Sequence, residues 1–481
     1  MSATNSSYDI IVIGAGSGGL GMSGVTNAIG LKTLLIEKEA RNIGGDCLNY
    51  GCIPSKSLIH ISKHFRGAHE ATAFGLIHKG NADIGKVLAY VHNKQEYIRH
   101  HENETYLREQ GIDVVIGQAR FSGPNTIEVG GHSYTARRIV MATGSRPRHI
   151  PIEGLDQVEW YNNESLFYEM KTLPDRFLIL GGGPIGCEMA QAFQRFGSKV
   201  VIVNTGERIL GIERKEMSEV LSKRFKSEGI EIHNSSKLLN FVGTNLGVVE
   251  RSDGHQFTVE FDAVLLAIGR VINVEGMGLE TAGIKVERGK IVVDQYLQTT
   301  NKRVYAVGDA AGKYKFSHGA EKHVRQLARN FFLPFRKKHH VKDLSWVTFT
   351  DPEIATFGLT EKHLKENNIK YWRQDQNFSG DDRAITSSYE DGRVSLFLTP
   401  KRFWKKQRIL GGSMIAPNAG EIIQELLLAT NAKLPVKDLF NKVYPYPTAS
   451  RINQQTIRGL RVDSLTPSLK RLLRTLYRWL A

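Results

Sequence analysis

Tyr8-Asp9-Ile10-Ile11-Val12-Ile13 runs directly into Gly14-Ala15-Gly16-Ser17-Gly18-Gly19, and Thr33-Leu34-Leu35-Ile36 then ends on Glu37. The first run is apolar and β-branched, the composition of a strand buried on both faces. Gly14, Gly16 and Gly19 have G-x-G-x-x-G spacing, and Glu37 closes the strand that follows. Strand, glycine turn, helix, strand and acid in this order make a dinucleotide-binding βαβ unit. Gly14 permits the tight turn, Gly16 lets a pyrophosphate approach the backbone, and Gly19 lets the helix pack closely, so that its N-terminus faces the phosphates. Glu37 is placed to accept from ribose hydroxyls. Residues 11–31 carry no charge and are long enough to cross a bilayer. Seven of them are glycine, however, so a buried strand followed by a close-packed helix is expected instead.

The arrangement recurs from Phe177 onward. Phe177-Leu178-Ile179-Leu180 leads into Gly181-Gly182-Gly183-Pro184-Ile185-Gly186, and Lys199-Val200-Val201-Ile202-Val203 ends at Asn204. Asn204 stands as far beyond Gly186 as Glu37 does beyond Gly19. Gly181, Gly183 and Gly186 repeat the roles of the first turn. Val140-Met141-Ala142-Thr143-Gly144 and Leu265-Leu266-Ala267-Ile268-Gly269 form a further repeat, each setting a small residue and a glycine after an apolar strand. The fold class is therefore α/β, with two doubly wound dinucleotide units. A carboxylate at position 204 would select NAD and repel a 2′-phosphate. Asn204 keeps a hydrogen bond without the repulsion, and Arg208 lies close by, which leaves NADH and NADPH both open.

The chain of 481 residues is about three domains long at roughly 100–200 residues each. Lys and Arg number 64 against 49 Asp and Glu, a formal charge of +15, and 41% of residues are hydrophobic, so disordered and fibrous classes are excluded. Three cysteines exclude a disulfide-stapled secreted scaffold. The short polar stretch before Tyr8 is no secretory signal, and a cytoplasmic protein is expected.

Cys47 and Cys52 lie in Gly44-Gly45-Asp46-Cys47-Leu48-Asn49-Tyr50-Gly51-Cys52-Ile53-Pro54-Ser55-Lys56. Five residues of ideal helix rise about 7.5 Å, whereas bridged Cα atoms lie within about 7 Å. A local distortion is required, and Gly51 allows one. A pair so closely framed points to redox chemistry, and zinc is disfavoured because no second pair completes a tetrahedral site.

At this point the sequence resembles the class I flavin-dependent pyridine nucleotide–disulfide oxidoreductases, which include lipoamide dehydrogenase, glutathione reductase and mercuric reductase. The resemblance extends through Ala142-Thr143-Gly144-Ser145-Arg146-Pro147 and through Val304-Tyr305-Ala306-Val307-Gly308-Asp309-Ala310, which is similar to the family's second flavin motif. It continues in Phe349-Thr350-Asp351-Pro352-Glu353-Ile354-Ala355, which resembles the opening of the dimer-forming domain. The resemblance implies two Rossmann-like domains, one for FAD and one for NAD(P)H, plus a C-terminal α+β dimerisation domain in a homodimer. The implied organisation is FAD domain 1–150, nicotinamide domain 151–273, a return to the FAD and central region over 274–340, dimerisation domain 341–465 and a basic tail 466–481. Gly14, Gly16, Gly19, Glu37, Gly45, Asp46, Lys56, Thr143, Gly144 and Asp309 would serve the flavin, and Gly181, Gly183, Gly186, Asn204 and Gly269 the nicotinamide side. Cys52 would lie beneath the flavin and Cys47 would be the outer thiol, with Lys56 and Glu188 as an ion pair near the flavin. Electrons would pass from NAD(P)H through FAD to the Cys47–Cys52 disulfide and on to an acceptor. Cys187 reads as a buried bystander.

Two departures matter. Where thiol-reducing members carry a histidine and a glutamate across the dimer, this chain has Tyr446 and Arg451. Neither titrates near neutrality, and His60 is one imidazole that could compensate. Mercuric reductases resemble the chain in having tyrosine there, but they deliver metal through a C-terminal cysteine pair, and no cysteine follows Cys187. The acceptor is therefore open among a mercuric-like metal ion, a disulfide and a quinone, with a lipoamide dehydrogenase of replaced acid and base as an alternative. The second departure is the tail, where Leu469, Leu472, Leu473, Leu476 and Leu480 keep helical spacing among Lys470, Arg471, Arg474 and Arg478 without an acid. This is the pattern of an interfacial helix, which fits a peripheral membrane redox partner or a helix docked on the protein or its dimer mate. Basic runs at 336–342 and 401–408, the latter with Phe403 and Trp404, read as solvated loops, and no nucleic-acid motif accompanies them.

Overall fold

The computed structural model describes residues 6–78, 80–312, 315–339, 344–400, 407–462 and 466–480. Residues 340–342 and 401–406 of the two basic runs lie outside that set. The described chain divides into two compact units, residues 1–209 with 228–339, and 210–227 with 340–481.

The first unit holds both nucleotide folds. β1 (Ser6–Ile13) passes through the glycine turn into α1 (Ser17–Ala28) and returns as β2 (Thr33–Glu37). β1 and β2 pair in parallel, as β2 does with β3 (Asp113–Ile116). Between β2 and β3 come α2 (Gly45–Asn49) and α3 (Cys52–Ala71). A meander of β4 (Arg120–Gly123), β5 (Thr126–Val129) and β6 (His132–Met141) closes the sheet in the order β3-β2-β1-β6-β5-β4. The strand Val304–Ala306 adds in parallel to β6 and carries the chain to Asp309. Ile10, Ile11, Val12, Leu34, Leu35, Ile139 and Val140 are almost fully buried, so the apolar run at residue 10 lies in the parallel centre of the sheet, covered on both faces. The uncharged stretch 11–31 is thus divided between β1, the turn and α1. Among the described residues no helix is long and apolar enough to cross a membrane.

The second fold in this unit consists of β7 (Arg176–Leu180), α4 (Pro184–Phe196) and β8 (Lys199–Val203), extended by β9 (Glu231–His233) and β10 (Ala263–Leu266). The sheet runs β9-β8-β7-β10 and then the strand Trp160–Tyr161, with every neighbour parallel.

The second unit is a five-stranded antiparallel sheet whose central strands are Glu353–Gly358, Ile409–Ala416 and Arg393–Leu398. The helix Lys215–Ser227 groups with this unit rather than with its sequence neighbours. Glu213, just before it, is buried and accepts from Trp346 Nε1 and Thr356 Oγ1, both at 2.6 Å, while Arg214 pairs with Glu361. A buried carboxylate needs such donors, and these come from the sheet of the second unit.

Candidate active site

The two glycine turns are built alike. Gly14 has φ +100° and Gly181 φ +115°. A Cβ on Gly14 would lie 2.4 Å from the Ala142 carbonyl oxygen, and one on Gly181 would lie 2.4 Å from that of Ala267. Each turn therefore presses against the loop after a neighbouring strand, where Thr143-Gly144 and Gly269 follow in the sequence. Gly45 comes so close to the first turn that a Cβ on it would sit 2.5 Å from Gly16 Cα. Both cradles are shaped for a group that meets bare backbone, as a pyrophosphate at a helix N-terminus does.

Glu37 stands at the end of β2, and its carboxylate accepts from the Ala15 and Lys38 N–H groups, each at 2.7 Å. Burial raises its pKa while these donors lower it. Asn204 occupies the matching position but is committed to its own turn. Its Oδ1 accepts from Gly182 N–H at 3.3 Å, and its Nδ2 donates to the Gly206 carbonyl at 3.1 Å and to Asn234 Oδ1 at 2.9 Å. A ribose bond to Asn204 would have to compete with these contacts, which the sequence does not reveal.

The cysteine segment breaks where expected. α2 ends at Asn49, Gly51 adopts φ −126° and ψ −106°, and α3 starts on Cys52. A Cβ on Gly51 would approach Asp46 Oδ2 to 2.8 Å, so the bend requires its absence. The bend sets the two thiols close enough for each to shift the other, raising the pKa of Cys47 and lowering that of Cys52. Cys52 also lies 3.5 Å from Ser317 Oγ. The thiol of Cys52 is pulled down to about 6, first by Cys47, then by Ser317 and the Lys56 charge, against the opposing effect of burial. Its place as first residue of α3 adds the helix N-terminal field in the same direction. Cys47 moves the other way, raised first by its neighbour Cys52 and then by desolvation. The surroundings thus favour the thiolate at Cys52 over one at Cys47.

Lys56, one turn further along α3, places Nζ 2.8 Å from Glu188 Oε2 on α4, where the carboxylate is buried. This is the pair that the resemblance implies. Cys187 is fully buried, lies against the Gly182 carbonyl at 3.5 Å, and has its thiol pushed up by desolvation, which agrees with a bystander.

Asp309 accepts from Ser145 Oγ at 2.5 Å, and burial raises its pKa. The centre of this polar cluster is Arg270, which no motif in the sequence singles out. Its guanidinium donates to Asp46 Oδ1 at 2.9 Å, Ser145 Oγ at 2.8 Å, the Ser145 carbonyl at 2.7 Å and Asn163 Oδ1 at 3.2 Å. Thr143 and Asn273 exchange two hydrogen bonds, from Thr143 Oγ1 at 3.0 Å and from Asn273 Nδ2 at 2.8 Å. Ser317 and Glu102, whose charge acts on Cys47, are likewise absent from the expected set.

Tyr446 lies in the second unit, two-thirds exposed, where its hydroxyl donates to Asp382 Oδ2 at 3.1 Å and Arg451 lies over its ring. The Asp382 bond raises its pKa. His60 is exposed and contacts His64, Nε2 to Nε2 3.3 Å. Among the described residues no three or more His, Cys, Asp or Glu side chains gather as a metal site.

Comparison with known proteins identifies the family. The family model "pyridine nucleotide-disulphide oxidoreductase" matches residues 8–324, and its dimerisation domain matches residues 344–456. The chain is 32% identical over 476 residues to mercuric reductase of Bacillus cereus, covering 96% of this chain and 72% of the relative. It is 33% identical over 471 residues to dihydrolipoyl dehydrogenase of Thermus scotoductus, covering 95% and 98%. A Cu(II) complex of the HOCl-induced flavoprotein disulfide reductase RclA of Escherichia coli superposes with a TM-score of 0.82 at 25% identity, covering 94% of this chain and 99% of that one. The chain belongs to the pyridine nucleotide-disulphide oxidoreductase family, enzymes that carry FAD, draw electrons from NAD(P)H and form homodimers.

Proposed function

We propose that the Cys47–Cys52 pair reduces a thiophilic metal ion. The observation that carries this reading is the adjacency of a Cys52 thiol whose pKa is lowered and a Cys47 thiol whose pKa is raised, in a chain whose Tyr446 is no acid or base near neutrality. Gly14, Gly16, Gly19, Glu37, Gly45 and Asp309 would hold FAD, and Gly181, Gly183 and Gly186 the nicotinamide nucleotide. When bound, the flavin accepts hydride from NAD(P)H and supplies two electrons to the cysteine pair.

The chain's own residues then perform the acceptor step. Cys52 thiolate and Cys47 thiol together release two electrons and one proton as the disulfide forms. The electrons reduce one metal ion by two units or two ions by one each, and the proton passes from Cys47 to water. Thiolates bind soft cations directly, so no side chain must deliver a proton to a leaving group. A disulfide substrate differs, because its departing thiolate needs a positioned acid. Relatives bearing the names mercuric reductase and Cu(II) complex of RclA fit the metal reading, and those named dihydrolipoyl dehydrogenase make lipoamide the principal competitor.

The test is a panel of mercuric ion, Cu(II), lipoamide, glutathione disulfide and quinones, each with NADH and with NADPH. The proposal expects metal-ion turnover that Cys47→Ser and Cys52→Ser both abolish. Faster turnover of lipoamide, or metal turnover that survives Cys47→Ser, would overturn it. A second reading puts the same enzyme at a membrane surface, and the exposed C-terminal helix favours it.

A further inference from the structure

The helix Pro467–Leu480 begins with a working cap, since Leu469 N–H donates to Thr466 Oγ1 at 3.2 Å and Lys470 N–H to the Thr466 carbonyl at 2.9 Å. Every residue of it is exposed, including Leu472 at 54%, Trp479 at 80% and Leu480 at 75%. At about 100° per residue, Leu469, Leu472, Leu473, Leu476 and Leu480 fall within an arc of about 100°. Tyr477 and Trp479 project at about 80° on either side of its centre. Lys470, Arg471, Arg474 and Arg478 fill the opposite arc, between about 100° and 200°. The helix thus has a leucine stripe, two aromatic margins and a basic back, with no acid anywhere in it.

Charge decides what covers this face. A second copy of the helix would cover the leucine stripe but leave the four cations of each basic back without an acid to pair them. A nucleic acid would satisfy the cations and leave five leucines in water. An anionic bilayer satisfies both faces, because leucines enter the acyl boundary, Tyr and Trp sit at headgroup depth, and long basic side chains snorkel to lipid phosphates. The helix is only about 21 Å long, so it lies in the surface and does not cross it.

We infer that Pro467–Leu480 docks the enzyme flat on an anionic phospholipid surface. This rests on the second reading above and is independent of which acceptor the cysteines reduce.

The experiment is co-sedimentation of the FAD-loaded full chain, and of a chain ending at residue 465, with vesicles of phosphatidylcholine alone or of phosphatidylcholine mixed with phosphatidylglycerol. The full chain is expected to sediment only with the anionic vesicles. The affinity should fall at least tenfold between low and high salt, as screened charge requires. Among the five tryptophans, the blue shift of emission on binding should vanish in Trp479→Phe, and Leu472→Glu/Leu476→Glu should abolish binding. The shortened chain should keep its flavin, its dimer and its turnover, which separates failure here from failure of the redox reading. Equal binding to both vesicle types would overturn the anionic-lipid assignment and leave a membrane role. Binding to neither would overturn both, and loss of the dimer on truncation would identify the helix as a contact between copies.

Discussion

Lys56 Nζ lies 2.8 Å from the buried Glu188 carboxylate, one helical turn after Cys52. The lysine therefore serves two anions at once, Glu188 directly and the Cys52 thiolate through space. Lys56→Met removes a cation from a buried carboxylate, which in a fully enclosed pair costs about 3–5 kcal/mol. With Lys56 partly exposed to screening solvent, a loss of about 1–3 kcal/mol is expected. Chemical denaturation of the flavin-loaded protein measures it, and adding Glu188→Gln should recover part of the loss.

The pH dependence of the thiol follows from the same surroundings. Cys52 is lowered to about 6, so its reactive thiolate is present above that pH and lost below it. Iodoacetamide alkylation of the reduced enzyme should show a midpoint near pH 6. Ser317→Ala and Lys56→Met should both move the midpoint upward, because each removes a group that stabilises the anion.

The two glycine turns predict separable defects. Gly181→Ala forces a side chain to φ +115° and to within 2.4 Å of the Ala267 carbonyl, at a cost of at least about 1–3 kcal/mol. The protein should retain its flavin spectrum while its Kd for the nicotinamide nucleotide rises at least tenfold. Gly14→Ala should have the opposite pattern, with poor flavin retention.

Arg270 holds Asp46, Ser145 and Asn163 together. Arg270→Ala removes one partner from each of these groups while Ser145 keeps Asp309 and Asp46 keeps Asn163, so a drop of about 1–3 kcal/mol and weaker flavin retention are expected in denaturation and ultrafiltration measurements. Arg270→Lys should recover little, because an ammonium cannot reproduce the fork.

What the sequence made legible was local. Each glycine turn lies between two strands of its own unit, and the thiols, Lys56 and Gly51 occupy one short stretch, so spacing alone carries their meaning. Arg270 was not legible, because its partners at residues 46, 145 and 163 meet it only when segments far apart in sequence are brought side by side. Ser317 reaches Cys52 across 265 residues for the same reason. Asn204 shows the converse failure. Its position predicts a ribose contact, but the loops at Gly206 and Asn234 take up its amide, so its share in nucleotide choice depends on tertiary competition that spacing does not encode. The exposure of the C-terminal helix is likewise a property of the fold, although its stripe and its charge are plain in the sequence.

The proposed function rests on a division of labour between Cys52 as stabilised thiolate and Cys47 as outer thiol. Anaerobic reduction of the FAD-loaded enzyme with NAD(P)H, followed by absorbance beyond the flavin bands, probes that division without any acceptor. A long-wavelength thiolate–flavin band is expected that fades as pH falls through about 6, persists in Cys47→Ser and is absent in Cys52→Ser. No band in the unmutated protein, or a band that survives in Cys52→Ser and disappears in Cys47→Ser, would contradict it.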